Sequence, residues 1–187
     1  MYDLTEERLE HEAEARVAER DQALRSVDFL EVLPDAARRV LAEHSILRMY
    51  APGESIIEQG DHGEEFFIIQ HGETLIEVGE GTSRKEVARV KAGQFFGEMS
   101  LMTGEKRTAS VTALRETVVL VIHKHAVQSV LEKQPELAET ISKVLARRSQ
   151  ELIDAEIRKT LPGEVARIVE NESSVLLQRI KRFFSIG

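Results

Sequence analysis

Between His44 and Ile122 the apolar residues of this chain recur with a period near two, in short stretches separated by glycine-bearing turns. The β-rich stretches are Ser45–Tyr50, Ser55–Ile57, Phe66–Gln70, Thr74–Val78, Val87–Val90, Ala109–Ala113 and Thr117–Ile122. The turns between them read Ala51-Pro-Gly-Glu54, Gln59-Gly-Asp61, His71-Gly72, Gly79-Glu-Gly81 and Lys91-Ala-Gly-Gln94. Strands this short cannot each bury a face alone, so they must close on one another as a barrel, sandwich or jelly-roll-like β-roll. Helical patterning flanks this region on both sides. Leu4 to about Val27 has a narrow apolar stripe (Leu9, Val17, Leu24), and Asp28–Pro34 breaks it. Pro34 and Asp35 then open a helix through Ala42. After Ile122, Pro135 starts a long helix with Leu137, Ile141, Val144, Leu145, Leu152 and Ile153 on one side, and Pro162-Gly163 ends it. A last helix, Glu164 to about Phe184, carries Val165, Ile168, Leu176, Ile180 and Phe183 on a broad apolar face. The expected class is α+β: an antiparallel, jelly-roll-like β-roll with flanking N-terminal and C-terminal helices. The boundaries expected are an N-terminal helix over 1–27, the roll with a following helix over 28–148, and a helical extension over 149–187.

Charge and composition narrow the function. The formal net charge of −8 is the wrong sign for binding a nucleic-acid backbone, and Arg179, Lys181 and Arg182 form only a short basic run. Apolar runs such as Thr117–Ile122 fall far short of the roughly 20 residues that span a bilayer. There is no cysteine, which excludes disulfide and thiolate chemistry and fits a cytoplasmic location. His123 and His125 are spaced for a common strand face but have no companion ligands, so no metal is expected. Ser100 and Ser110 lack a nucleophile elbow or an adjacent histidine, and Glu98 has no second carboxylate at short spacing. No enzyme activity is expected.

One segment departs from ordinary strand and turn: Phe95-Phe-Gly-Glu-Met-Ser-Leu-Met-Thr-Gly-Glu-Lys-Arg-Thr-Ala-Ser-Val111. Gly97 followed by a helix-capable run from Glu98 to Met102 offers free backbone N–H groups to an anion. Arg107 suits phosphate through its planar, permanently charged fork, and Thr108, Ala109 and Ser110 leave room beside it. A carboxylate so placed, Glu98, is understandable if it accepts a hydrogen bond from a sugar hydroxyl. The same residues could instead make a glycine-capped turn with a Glu98–Arg107 ion pair, and spacing alone leaves both open.

This segment resembles the phosphate-binding cassette of the cyclic nucleotide-binding domain family, and the resemblance extends over roughly Val27 to Arg148. It implies that Glu98 and the Gly97 N–H hold a ribose 2′-hydroxyl, and that Arg107 with the N–H groups of Ser100 and Thr108 holds a cyclic phosphate. It also implies an apolar wall from Met99, Val111, Val78 and Val87, with Phe96 and Ala109 lining the cassette. A C-terminal helix caps the base in this family, which nominates Arg148, with Arg147 beside it. Thr108 could bond the phosphate or a guanine amino group; cAMP is favoured over cGMP as the ligand, with no further cofactor. The cassette and the start of the capping helix are similar to cytosolic domains of bacterial cyclic nucleotide-linked channels of the small-conductance mechanosensitive type. A free-standing relative is the other possibility. The expected function is a sensor or regulatory module for a cyclic nucleotide. The alternative is an assembly module with a degenerate pocket that works through its helices. The apolar face of the last helix exceeds what a closed roll can cover, so it should pack on a partner chain or on the N-terminal helix; a homo-oligomer, or a parent membrane channel as the partner, is predicted.

Overall fold

The structure, a computed structural model, describes the backbone of residues 4–79, 81–157 and 162–186, and the side chains of 8–79, 81, 83–147 and 173–186. Helices α1 (Leu4–Arg25), α2 (Asp28–Glu31) and α3 (Asp35–His44) precede the strands. The strands are β1 (Ile46–Tyr50), β2 (Ser55–Ile57), β3 (Glu65–His71), β4 (Glu73–Val78), β5 (Lys85–Lys91), β6 (Phe95–Phe96), β7 (Ser110–Ala113) and β8 (Thr117–His123). A short helix, α4 (Glu98–Thr103), lies between β6 and β7, and α5 (Lys124–Lys133), α6 (Leu137–Ile157) and α7 (Pro162–Phe184) follow. The strands form two antiparallel four-stranded sheets, ordered β1-β8-β3-β6 and β2-β7-β4-β5. The chain therefore has the expected roll flanked by helices.

The central strands of the first sheet, β8 and β3, are buried on both faces, and their sequence says why. In β3 the run Phe66-Phe-Ile-Ile69 has no polar interruption, so alternate side chains enter two different cores. Phe67 and Ile69 point into the roll with Val119, Val121, Phe96 and Val111. Phe66 and Ile68 point outward with Leu120, Ile122 and Phe95 under the helices. Phe29 of α2 meets both Phe66 and Phe95, at ring-centroid distances of 5.6 and 5.5 Å. Thus α2, inside the segment read as a break, is a helical turn that carries a core aromatic. Two further elements depart from the expectation. The helical region after Ile122 begins with a separate helix, α5, and Phe95–Phe96 is a two-residue strand paired with β3.

The N-terminal stripe behaves as its composition predicts. Leu24 is fully buried and Val17 packs against the core, while Leu9 is exposed. Arg38, on the buried face of α3, ties α1 to that helix by donating to Asp21 at 2.7 Å, to Asp35, and to the Leu33 carbonyl at 2.9 Å.

The largest departure concerns α7. Its apolar face was expected to pack on a partner chain or on the N-terminal helix, yet Leu176, Ile180, Phe184 and Ile186 are buried in the chain's own helix-side core beside Leu101 and Met102 of α4. Phe183 is half-buried and rests on Gly104 and beneath the Lys124 ammonium, whose nitrogen lies 3.6 Å from the ring centroid. Arg179 donates to Glu105 at 2.7 Å. The chain folds back on itself, so the premise for assembly through these side chains falls. Val165 and Ile168 lie outside the described side chains. The long helix expected between Pro135 and Pro162 is α6, Leu137–Ile157, and it spans the domain boundary expected at residue 148.

Phe184 is 1% exposed, and its removal leaves a cavity between α7 and the roll. Phe184→Ala should therefore cost about 3–5 kcal/mol of stability in urea denaturation. The loss should be the same at all protein concentrations; a concentration-dependent loss would place Phe184 at an interface between chains.

Candidate functional site

Strand β6 divides its two aromatics between the cores, and this division aims the chain that follows. Phe96 stacks on Phe67 inside the roll, with ring centroids 5.1 Å apart, while Phe95 turns toward the helices. Gly97 then adopts φ +86°, a left-handed conformation that swings the chain out of the strand and into α4. Leu101 and Met102 anchor α4 in the helix-side core. Gly104 closes it, with its N–H donating to the Ser100 carbonyl at 2.9 Å. The first turn of α4 is thereby held at the mouth of the roll.

Arg107 locks this arrangement from both main chain and side chain. Its backbone N–H donates to the Asp61 carbonyl at 2.8 Å, and its own carbonyl accepts from the Gly60 N–H at 2.8 Å. Its guanidinium Nη1 donates to the Gly97 carbonyl at 2.8 Å and Nη2 to the Glu65 carbonyl at 2.7 Å. The Phe67 ring lies 5.9 Å from the guanidinium carbon. Burial draws the Arg107 pKa down from its ordinary value, and the nearby charges of Glu65, Glu98 and Asp61 oppose that shift. From so high a starting point the group stays a cation at working pH. Next to it, Ser110 donates to Glu58 at 3.3 Å and accepts from the Gln59 N–H at 3.0 Å, which fixes the start of β7.

These elements border a cleft of about 360 Å³. Phe96, Gly97, Glu98, Met99, Ser100, Arg107, Thr108 and Ala109 all line it, as does Val111. Glu98 and Met99 are half-buried, Thr108 is exposed, and Ser100 is buried. Val78 and Val87 do not line it and are both exposed. The apolar wall is made instead by Ile57, Ile76, Ala88 and Val90. Strand alternation gives Val87 the opposite parity to Ala88 and Val90, and it falls at a bulge, where Ile76 pairs with Ala88 but Glu77 with Glu86, so it has no partner in β4. Val78 sits at the end of β4, opposite Lys85. Arg148 lies outside the described side chains, and Arg147 is exposed. No described residue of α6 lines the cleft. The buried side of α6, with Ile141 and Leu145, packs in the helix-side core. The missed wall residues carried a weak signal, since Ile76 and Val90 are β-branched residues of one strand pair, but only the register shows which parity faces inward. His123 and His125 stack on each other at 5.5 Å, and His123 pairs with Glu65 at 3.2 Å. Among the described residues no cluster is able to hold a metal ion.

The roll, the cassette turn and the buried arginine match a known family model, described as cyclic nucleotide-binding domain, over residues 47–134. Residues 47–134 are a cyclic nucleotide-binding domain. This domain is similar to the cGMP-dependent protein kinase of Eimeria tenella, with 32% identity over 114 residues, or 61% of this chain and 11% of the kinase. It is also 33% identical over 100 residues to the cAMP-dependent protein kinase type II regulatory subunit of Drosophila melanogaster, covering 54% of this chain and 26% of the subunit. Among solved structures, the regulatory domain of Toxoplasma gondii PKA crystallised with cAMP superposes with a TM-score of 0.63 at 25% identity, over 73% of this chain and 51% of that one. This chain thus spans a minor part of the length of these two kinase-related proteins. The domain is homologous to parts of a cGMP-dependent protein kinase and of a cAMP-dependent protein kinase regulatory subunit.

The geometry at Gly97 is directly testable. A Cβ there would sit 2.8 Å from the Arg107 Nη1 and 3.3 Å from Ile57 Cδ1, on a backbone that disfavours any side chain. Gly97→Ala should destabilise the fold by about 1–2 kcal/mol from the left-handed backbone alone. A melting temperature unchanged from wild type would contradict the described turn.

Proposed function

We propose that the cleft holds one cyclic mononucleotide, with cAMP preferred over cGMP, and that the chain is a non-enzymatic sensor. The observation that carries this reading is the convergence of Arg107, Glu98 and the first turn of α4 on one cleft with an apolar wall. Two of the five guanidinium N–H donors are engaged by main-chain carbonyls, which leaves others for an anion. The N–H groups of Ser100 and Thr108 complete the phosphate site, and Glu98 with the Gly97 N–H accepts and donates at the ribose 2′-hydroxyl. Ile57, Ile76, Ala88 and Val90 flank the sugar and base. The reading with a degenerate pocket fits less well, because the acid and the arginine of the cassette both line the cleft.

The match to kinase regulatory regions and the cassette's resemblance to channel domains support a module that reports to a larger effector. Its location is inferred to be cytoplasmic. No described helix is long and apolar enough to cross a membrane. Assembly, whether as a homo-oligomer or with a parent channel, would have to use surfaces other than the buried part of α7. Arg148, together with Arg147, remains the candidate for capping the base from α6.

Isothermal titration with cAMP and cGMP tests the reading. Arg107→Ala should weaken binding by about 2–5 kcal/mol, because it strips the charged partner from a largely desolvated phosphate. The same change also frees the Gly97 and Glu65 carbonyls, so a stability loss is expected alongside, and titrations belong well below the melting temperature. Wild-type affinity in the variant would remove the phosphate assignment.

Thr108 separates the two nucleotides. It is exposed at the cleft, and the proposal gives its hydroxyl to the phosphate, so Thr108→Ala should cost about 1 kcal/mol for both ligands. A loss confined to cGMP would assign the hydroxyl to guanine instead.

A further inference from the structure

The guanidinium of Arg107 lies directly over the backbone of Gly63. A Cβ at position 63 would meet Nε at 2.0 Å, Cζ at 2.1 Å and Nη2 at 2.4 Å, all far inside van der Waals contact. The backbone does not demand glycine here, because Gly63 is not among the residues with positive φ. What demands it is clearance for one side chain. On its other sides the guanidinium is held by the carbonyls of Gly97 and Glu65 and faces the Phe67 ring. The group is 7% exposed, so its place is set by this slot and not by solvent.

A second cavity, of about 560 Å³, lies beyond it, lined by Glu58, Asp61, Glu64, Glu65 and His123 as well as by Gly63 and Arg107. Arg107 therefore forms part of the wall between that acidic cavity and the nucleotide cleft. A guanidinium displaced from Gly63 has an alternative location beside carboxylates, away from the ligand.

We propose that Gly63 is a positioning residue for the ligand phosphate: the absence of a side chain at this position seats the Arg107 guanidinium between the Gly97 and Glu65 carbonyls, facing the cleft. The inference rests on the nucleotide-binding reading above. The three atoms nearest to a Cβ at position 63 all belong to the flexible end of Arg107, so the chain can yield by moving that side chain, at the cost of its bonds to the Gly97 and Glu65 carbonyls and of the donor geometry. Gly63 itself touches no ligand in this account and acts only through Arg107.

Gly63→Ala tests this in two ways. The Arg107 Nε resonance, followed by ¹⁵N NMR of the ligand-free protein, should shift in the variant, with the fold retained and the melting temperature lowered by no more than in Arg107→Ala. Affinity for cAMP by titration calorimetry should fall about tenfold or more, the size of losing one charge-assisted hydrogen bond. In an Arg107→Ala background the same substitution should cost nothing further, because the group it positions is gone. An unmoved Nε resonance, wild-type affinity, an equal loss in the Arg107→Ala background, or failure of the variant to fold would each overturn the inference. A wild-type protein that binds no cyclic nucleotide would overturn the nucleotide reading and the ligand part of this proposal, while the Nε shift would still report whether Gly63 seats the guanidinium.

Discussion

A guanidinium with almost no contact with water must find its hydrogen bonds inside the protein, and in this chain the partners of Arg107 are main-chain carbonyls from two separate elements. One belongs to Gly97, the residue that turns β6 into α4; the other belongs to Glu65, the first residue of β3. The backbone of Arg107 adds two bonds to the Gly60–Asp61 loop. A single residue thus joins the cassette, the loop before β3 and the central strand of the roll. Because the charge is already desolvated and oriented before any ligand arrives, little reorganisation is left for binding to accomplish. The same bonds make Arg107 structural as well as functional, so removing it cannot perturb binding alone.

The first sheet supplies the frame on which that residue is held. Its central strands carry apolar side chains on both faces, so the roll and the helices share one wall, and Phe95 and Phe96 continue the alternation into the cassette. The helix-side core reaches from Leu24 of α1 through Leu101 and Met102 of α4 to Phe184 of α7. The turn proposed to bind phosphate is therefore packed on its outer side by the last helix of the chain. Arg179 with Glu105, and Phe183 over Gly104, place that contact at the C-terminal end of α4, opposite the end that lines the cleft.

Much of this was legible in the sequence because it follows from period and from turn chemistry. Strands β1, β2, β3, β4, β7 and β8 fall where alternation and glycine turns put them, and Glu98, Arg107 and Thr108 meet at one cleft as the cassette pattern implies. What was not legible depends on distant partners. Nothing local in Phe95-Phe96 distinguishes a two-residue strand from a turn until β3 lies beside it. Val87 reads as a wall residue until the pairing of Ala88 and Val90 with Ile76 and Thr74 shows which parity faces inward, and Phe29 reads as part of a break until two aromatics are found against it. The apolar stripe of α7 was visible, but whether it would meet another chain or its own could not be read from periodicity. Gly63 looked like one more loop glycine; only the guanidinium above it shows what its missing side chain is for.

The central claim is that Arg107 receives the phosphate while remaining tied to the main chain, and a crystal structure of this chain with cAMP would test it most directly. The account predicts a cyclic phosphate oxygen within about 3 Å of an Arg107 guanidinium nitrogen, with the bonds from Arg107 to the Gly97 and Glu65 carbonyls still in place. A nucleotide bound away from α4, or a guanidinium released from both carbonyls to reach it, would contradict the account.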